Sequence, residues 1–273
     1  MTNGEISLNA QMTNVGLKAF LLSFWFCLQR RGCAKAGHSF FVRPSSFLIR
    51  FVRHSTFIIS FVLAFSMNGQ APPSAQDILA SVRMIEVRQQ IDLQGQLREN
   101  DIIVPFRLTQ DGPLIRYSFT NPNEVVQLRL GEKSSRLDLV TGTGTEKFAA
   151  SKLDQKIRGT SVSYEDLAFK FLYWPTARVL GEENVRTRNC WKLQLRAPSR
   201  ESQYSNVLLW IDKASGALMR MEGYDWNVKL AKRFEVVSAQ KIEDRWFLKQ
   251  MRIEELQPGT KHVLSRTYLE IKK

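Results

Sequence analysis

The sequence predicts a mainly β protein with a few helices, in which one curved antiparallel sheet forms an incomplete, half-open barrel covered by short helices. Its 273 residues are 44% hydrophobic and 24% charged, an ordinary globular composition. From about residue 90 the apolar side chains recur with a period of two, and turn residues divide the runs. The runs follow too closely for parallel strands. A sheet this large must close or be covered, and only two or three short helices are predicted to cover it.

The first helix is predicted at about residues 75–88. Ser74-Ala-Gln-Asp77 places a side-chain cap and an acid three residues apart, the arrangement called a capping box. Apolar residues then recur at helical spacing, and these are Ile78, Leu79, Val82 and Ile85. An open sheet with one apolar face needs covering, so we expect this stripe to form part of a lid.

Five strands are predicted between residues 90 and 140, with Asn, Asp, Gly and Pro residues at the turns between them. They are Gln90–Glu99, Ile102–Gln110, Leu114–Thr120, Val125–Leu130 and Arg136–Val140. The next segment, Thr141-Gly-Thr-Gly-Thr145, contains glycines but lacks the lysine and the helix of a phosphate-binding loop. It is therefore interpreted as a flexible turn.

The middle of the chain, about 146–180, interrupts this rhythm. Ser163-Tyr-Glu-Asp166 is a second capping box, and it predicts a short helix through Leu172 that ends before Trp174-Pro175. Strand patterns then resume at about 179. The predicted runs are 191–195, Val207–Asp212, Ala217–Tyr224, Lys229–Gln240, Trp246–Leu256 and His262–Lys273. No linker or repeat divides this part, so residues 72–273 are predicted to form a single domain.

Residues 46–71 have the anatomy of a cleaved secretory signal peptide. A basic region that ends at His54 precedes an apolar run at 56–65, which is too short to span a bilayer. Gly69 and Ala71 supply the small residues of a cleavage site. An uncleaved membrane anchor is the alternative interpretation.

The segment before that signal is abnormally long, because signal peptides usually total about 15–30 residues. We interpret residues 1–45 as an extended leader or a misassigned translation start. The first 71 residues hold seven basic residues and one acid, so nearly half of the net charge of +13 lies there. The remaining chain is only mildly basic.

Cysteine and histidine are too scarce after residue 71 for a metal site within one chain. Only Cys190 and His262 occur there, whereas a structural zinc site needs about four ligands and a disulfide needs two cysteines. His262 has no nucleophile motif in the sequence to serve. Cys190 shares a strand face with basic residues but is interpreted as an incidental thiol. We expect no metal, no cofactor and no catalysis.

Charged residues follow the strands in a pattern that permits two interpretations. The adjacent pairs Glu182-Glu183 and Glu254-Glu255 must point to opposite faces of a strand, so solvated acids are expected. Basic residues that alternate with apolar ones could form a nucleic-acid face or the wet side of a sheet. Export makes nucleic acid an implausible partner. These residues are Arg107, Arg116, Arg129, Lys192, Arg196 and Arg220.

Several stretches from Ile157 onward resemble the outer-membrane lipoprotein-sorting proteins, the LolA-like family. They are Arg158-Gly-Thr-Ser-Val-Ser-Tyr-Glu-Asp-Leu167, Val179-Leu-Gly-Glu-Glu-Asn-Val185, Cys190-Trp-Lys-Leu-Gln-Leu195, Leu209-Trp-Ile-Asp-Lys213 and Gly223-Tyr-Asp225. The early helix after a signal peptide also fits, so the resemblance covers essentially all of residues 72–273.

The resemblance implies an incomplete antiparallel barrel with an apolar cavity, and a periplasmic carrier for the acyl chains of lipoproteins or lipids. An inner-membrane donor and an outer-membrane acceptor would be its partners, with no nucleic acid. The alternative from another class is an envelope interaction or sensor module that binds a membrane protein complex.

Six residues are candidates for the wall of the cavity. Aromatic side chains bury large apolar areas, and methionine adapts its shape to irregular ligands. The candidates are Phe169, Phe171, Trp174, Trp210, Met219 and Met221. Periodicity shows which of them share a strand face, but not which face is the inner one.

N-terminal sequencing of the protein from its native envelope tests the interpretation of the leader. Cleavage at the small-residue site should give a chain that begins at Pro72. Recovery of residues 2–40 in the native protein would contradict the misassigned start.

Overall fold

The computed structural model describes residues 73–83, 90–242 and 245–272, without the side chains of Ile242, Arg245 and Trp246. The predicted leader and signal peptide, residues 1–45 and 46–71, lie outside the described residues, as does Ile85. Within the described ranges, no helix is long and apolar enough to cross a membrane.

The described part of the chain contains one thirteen-stranded antiparallel sheet that does not close, which confirms the predicted incomplete barrel. Its strand order is β6-β5-β4-β3-β2-β1-β13-β12-β11-β10-β9-β8-β7. The strands are β1 (Gln90–Glu99), β2 (Ile102–Asp111), β3 (Leu114–Phe119), β4 (Glu124–Leu130), β5 (Ser135–Thr141), β6 (Gly144–Lys147), β7 (Thr176–Val185), β8 (Arg188–Arg196), β9 (Asn206–Asp212), β10 (Leu218–Tyr224), β11 (Leu230–Ile242), β12 (Arg245–Leu256) and β13 (Val263–Lys272).

The sheet consists of two meanders joined along one seam. Hairpins connect β1 to β6 in sequence and β7 to β13 in sequence, and β1 then pairs with β13. At this seam Leu97 lies opposite Leu269. Alternate residues of the strands point to one face, which carries most of the buried apolar side chains. We call it the inner face.

The first helix, α1 (Ala75–Arg83), begins with the predicted capping box. The Asp77 amide donates to Ser74 Oγ over 3.1 Å, and the Ser74 amide donates to Asp77 Oδ2 over 3.2 Å. Its apolar stripe is buried, with Leu79 and Val82 at 0% and 1% exposure. The helix packs against β7 and against the chain around Leu172, whose carbonyl accepts a hydrogen bond from Arg83.

The connection between β6 and β7 joins the two edge strands of the sheet. It contains α2 (Tyr164–Ala168), which begins with the predicted capping box at Ser163. The prediction of one helix through Leu172 is wrong, because Phe169 adopts left-handed backbone angles and ends α2. The chain continues as a 3-10 turn, Lys170–Tyr173, which contacts both β5 and α1. Together this turn and α1 bridge the gap between the open edges of the sheet.

The segment Thr141–Thr145, predicted as a turn, forms a hairpin and the start of a further strand. Thr141 pairs with Gly144 across a tight hairpin, and Gly144–Lys147 forms the exposed edge strand β6. Gly144 has a φ of 147°, a backbone angle that residues other than glycine rarely adopt. The four-residue strand is too short and too polar for its alternation to identify it in the sequence.

Truncation of the helix stripe should destabilise the protein. Leu79→Ala removes a fully buried side chain, so the free energy of unfolding should fall by about 2–5 kcal/mol. The matched control is Ser81→Ala, at an exposed position of the same helix, which should change it by less than about 0.5 kcal/mol. Equal denaturant midpoints for the two variants would show that α1 is peripheral to the fold.

Candidate ligand-binding site

An apolar cleft lies between the inner face of the second meander and the chain around α2. The space that it leaves for water-sized molecules is only about 30 Å³, far below the roughly 300–1,000 Å³ of an open small-molecule site. Ten of its eleven lining residues are apolar, and the other is Asp166. The lining residues are Val162, Asp166, Leu167, Phe169, Phe171, Leu218, Met221, Phe234, Met251, Ile253 and Leu269.

Three of the six candidate residues from the sequence line this cleft, namely Phe169, Phe171 and Met221. The other three are buried but lie elsewhere. Trp174 packs edge-on against Phe171, with ring centroids 6.4 Å apart. Trp210 is on the outer face, where Lys192 Nζ lies 4.8 Å from the centroid of its ring.

A β-bulge explains why Met219 does not line the cleft. The register between β10 and β9 shifts by one residue between Leu218 and Arg220. Such a bulge reverses the alternation of the strand, so Leu218 lines the cleft in the place that simple parity gives to Met219. The sequence pattern contains no sign of this extra residue.

The walls of the cleft are already packed together. Phe169 and Phe171 are 6% and 4% exposed, and their rings meet edge-to-face with centroids 6.1 Å apart. Leu218, Met221 and Ile253 on the sheet are equally buried. A chain-like ligand therefore enters only if Phe169 and the turn after it, which contains Phe171, move away from the sheet. Phe169, where the helix breaks, is the natural pivot because its backbone angles are unusual for a bulky residue.

One end of the cleft is polar. The change from apolar to polar side chains occurs between two neighbouring rows of residues across the inner face. One row across the inner face is Met221, Phe234, Ile253 and Thr267. The next row on the same face is Gly223, Lys232, Glu255 and Ser265. A ligand lying along the apolar rows thus meets charged and hydroxyl groups at one end.

Lys232 and Asp166 form a buried ion pair at this boundary, with side chains only 6% and 2% exposed. Lys232 Nζ lies 2.8 Å from Asp166 Oδ2, which also accepts the Ser163 amide of the capping box. Asp166 Oδ1 accepts the Tyr204 hydroxyl at 2.6 Å. A β-carbon on Gly223 would lie only 2.3 Å from Cε1 of Tyr204, so only glycine fits beside this ring. The pair therefore fixes α2 to the sheet.

A second polar group holds the chain before α2. Ser161 donates to Glu99 Oε2 through both its amide and its hydroxyl, each over 2.7 Å, and Thr267 donates to the same oxygen. Ser265 extends these contacts to Glu255, which Lys156 also contacts at 2.6 Å. This loop is thus bonded to β1, β12 and β13.

These environments shift the pKa of several groups. Burial raises the pKa of Tyr204 well above its usual value, and the charge of Asp166 adds to the effect. Burial likewise raises the pKa of Glu165, which lies beside Asp166. Burial opposes the ionisation of Glu99, but hydrogen bonds from Thr267 and Ser161 outweigh it and lower the pKa of Glu99. Glu99 is therefore held as a carboxylate.

The outer face is a ladder of paired charges, as expected for the polar side of an antiparallel sheet. The prediction of solvated acids is wrong for Glu254, which is 4% exposed and contacts Arg266 at 2.8 Å. Glu235 lies similarly among Arg186, Arg220 and Arg252. Glu182 and Glu183 are more exposed and pair with Lys213 and Lys192. The arginines of this ladder are balanced by carboxylates and do not form a bare cationic surface.

The described residues contain no group of three Cys, His, Asp or Glu side chains placed to hold a metal ion. Cys190 is fully buried, and its sulfur lies 3.6 Å from the carbonyl of Arg188. His262 is exposed at the turn before β13. Neither residue lines the cleft.

Lys232 is a residue of the site that the sequence pattern does not identify. It stands on the inner face beside Phe234 and Val236, so it breaks the apolar phase of β11. A charge at an apolar-phase position is a signal of a buried polar contact, but its partner Asp166 is 66 residues away in sequence. Asp166 itself was identified only through the capping box.

An open antiparallel sheet around an apolar cleft, closed by short helices, is the architecture of an incomplete barrel. A family model described only as an uncharacterized protein matches residues 143–273, the part that contains every residue lining the cleft. No curated protein matches the sequence.

Solved structures share this fold at low sequence identity. A DUF1329 family protein from Desulfovibrio piger has a TM-score of 0.55 and 21% identity, over 73% of this chain and 90% of that one. A domain described as an outer membrane lipoprotein-sorting protein, from Vibrio parahaemolyticus, has a TM-score of 0.57 and 15% identity, over the same shares.

A LolA superfamily protein from Nitrosomonas europaea has a TM-score of 0.52 and 17% identity, over 74% of this chain and 93% of that one. The chain therefore has the LolA-like fold, as the sequence resemblance implied.

Replacement of one partner of the buried ion pair should be more harmful than replacement of both. Lys232→Met leaves the carboxylate of Asp166 without its cation, so the free energy of unfolding should fall by about 3–5 kcal/mol. The double variant Lys232→Met/Asp166→Asn should recover most of that loss, because no uncompensated charge stays buried. Lys156→Met, in an ion pair with a half-exposed lysine, is the control and should cost less than about 1 kcal/mol.

Urea unfolding of the four proteins measures these differences. A Lys232→Met loss no larger than that of Lys156→Met would mean that the buried pair does not fix α2 to the sheet.

Proposed function

We propose that this chain is a non-catalytic periplasmic binding protein that carries acyl chains of lipoproteins or lipids. The observation that supports this most directly is the apolar cleft on the inner face. The turn after Phe169 covers this cleft, whereas α2, which ends at Phe169, is held to the sheet by the Lys232–Asp166 pair. The Vibrio parahaemolyticus and Nitrosomonas europaea structures share the fold and are described as lipoprotein-sorting or LolA superfamily proteins. The predicted signal peptide supports export.

Binding in such a cleft follows from the hydrophobic effect. Each CH₂ kept out of water contributes about 0.8 kcal/mol, so an apolar cleft can shield a long acyl chain from water while the protein moves between membranes. Phe169 and Phe171 must first leave their present contacts, and this cost lowers the affinity. A carrier needs that compromise, because an acyl chain held too firmly would not pass to an acceptor.

The same cleft argues for a carrier without chemistry. A nucleophile or general base must reach the substrate within hydrogen-bonding distance. The one ionisable group that lines the cleft, Asp166, already accepts hydrogen bonds from Lys232, Tyr204 and the Ser163 amide. Its carboxylate is therefore used in holding α2.

Lipid extraction tests the proposal on protein purified from its native envelope. Mass spectrometry should find acylated molecules bound in the purified protein, and the protein should transfer a fluorescent acylated peptide between vesicles. A lipid-free protein that transfers nothing and binds one membrane protein complex would instead support the interaction or sensor module.

A cleft-filling variant adds the structural control. Met221→Trp places a bulky indole ring among the lining residues, so it should reduce acyl binding at least tenfold while the protein stays folded. Leu264→Trp changes an exposed residue that does not line the cleft, and it should bind as the wild type does. Equal binding by both variants would place the ligand elsewhere.

A further inference from the structure

The ammonium group of Lys232 has more hydrogen-bonding capacity than the protein uses. A lysine carries three N–H donors, and among the described residues only Asp166 Oδ2 accepts from Lys232 Nζ. Asp166, in contrast, is saturated, because its two oxygens accept from Lys232, Ser163, Tyr204 and Gln203. Buried donors that lack acceptors are costly. The lysine side chain is 6% exposed, so bulk water does not supply those acceptors freely.

The position of Lys232 relates this capacity to the cleft. Lys232 lies two residues before Phe234 on the same face of β11, and Phe234 lines the cleft. Asp166, its ion-pair partner, lines the cleft as well. An acyl chain lying along the apolar rows would place its first polar atom at this lysine.

The charges around Lys232 select the chemistry of that polar atom. Glu255 lies directly opposite Lys232 in the sheet register, and it pairs with Lys156. Four carboxylates lie near this end, against the three lysines Lys156, Lys170 and Lys232. The carboxylates are Glu99, Asp166, Glu165 and Glu255. A further negative charge here would be repelled, whereas a neutral carbonyl oxygen accepts from an ammonium without adding charge.

We propose that Lys232 binds the neutral carbonyl oxygen of an acyl ester or acyl amide, so the site distinguishes acyl chains in ester or amide linkage from free fatty acids. This rests on the proposed function, since it concerns the head end of the same ligand. The acyl chain occupies the apolar rows, and the carbonyl lies at the polar row beside the Lys232–Asp166 pair.

A pair of ligands that differ only at the carbonyl tests this on the wild-type protein. Monopalmitoylglycerol carries an ester carbonyl, and its ether analogue hexadecylglycerol has the same chain and head without one. The ester should bind about tenfold more tightly, as expected for a hydrogen bond to a charged group. Palmitate should bind more weakly than the ester, because its carboxylate adds a negative charge.

The variants then assign the difference to the lysine. In Lys232→Met/Asp166→Asn the preference for ester over ether should fall to about one, while Lys156→Met should keep it. A palmitoylated peptide amide gives the second source of the same carbonyl. Tighter binding of the peptide indicates a lipoprotein ligand, tighter binding of the glycerol ester indicates a lipid ligand, and either supports the proposal.

The outcomes separate the two proposals. Equal binding of the ester and the ether by the wild type overturns the role of Lys232 and leaves the acyl carrier in place. Tighter binding of palmitate than of the ester overturns the selection of a neutral carbonyl. No binding of any acyl probe overturns the carrier as well. The comparison of ester and ether uses the wild-type protein. It can therefore overturn the inference even if the double variant does not fold.

Discussion

The ion pair between Lys232 and Asp166 is the interaction on which the arrangement of the cleft depends. A sheet that stays open needs something to cover its inner face. The segment that does so buries Val162, Leu167, Phe169 and Phe171 against the cleft, but such apolar contacts have no direction and do not fix its position. One carboxylate solves this by capping α2 and binding the lysine of a central strand at the same time. Removal of two charges from water is expensive, so such a pair specifies one position for α2 more than it adds stability.

The contacts on either side of Phe169 differ in kind. Before it, the chain is bonded to the sheet through Ser161, Asp166 and Glu99. After it, the 3-10 turn is held mainly by rings, by the Tyr173 hydroxyl on the Gly131 carbonyl and by the packing of α1. Apolar contacts are non-directional and tolerate sliding, whereas hydrogen bonds do not. The part of the cover after Phe169 is therefore the part that can yield to a ligand.

Much of the architecture could be predicted because it is local. The period of two, the turn residues and the two capping boxes were enough to place the strands within a few residues and both helix starts. Strand β6 could not be predicted, because four exposed residues have no alternation to detect. The break at Phe169 was also missed, since nothing in the side chain of phenylalanine favours left-handed backbone angles.

The candidate site was only half predictable for a related reason. Met221, Phe169 and Phe171 line the cleft, as their apolar character suggests. A bulge turns Met219 away from the cleft, and Trp210 lies on the outer face, which periodicity alone does not distinguish from the inner one. Lys232 and Asp166 meet across 66 residues, and no periodic pattern encodes such a meeting. Prediction of a long-range polar contact requires the full topology, and the periodicity of strands and helices does not determine that topology.

The seam between β1 and β13 has a consequence for how the molecule folds. Every other strand pairs with its neighbour in sequence, so each meander can form from short hairpins, whereas Arg98 and Tyr268 meet across most of the folded chain. Closing so long a loop costs entropy that is repaid only once the whole strand pairs. Glu99, at the end of this seam, cannot reach Thr267 before that closure, so the cover is secured at one end only after the two meanders have joined. The contacts of Ser161 and Thr267 with Glu99 therefore depend on this seam, although every residue that lines the cleft comes from the second half of the chain.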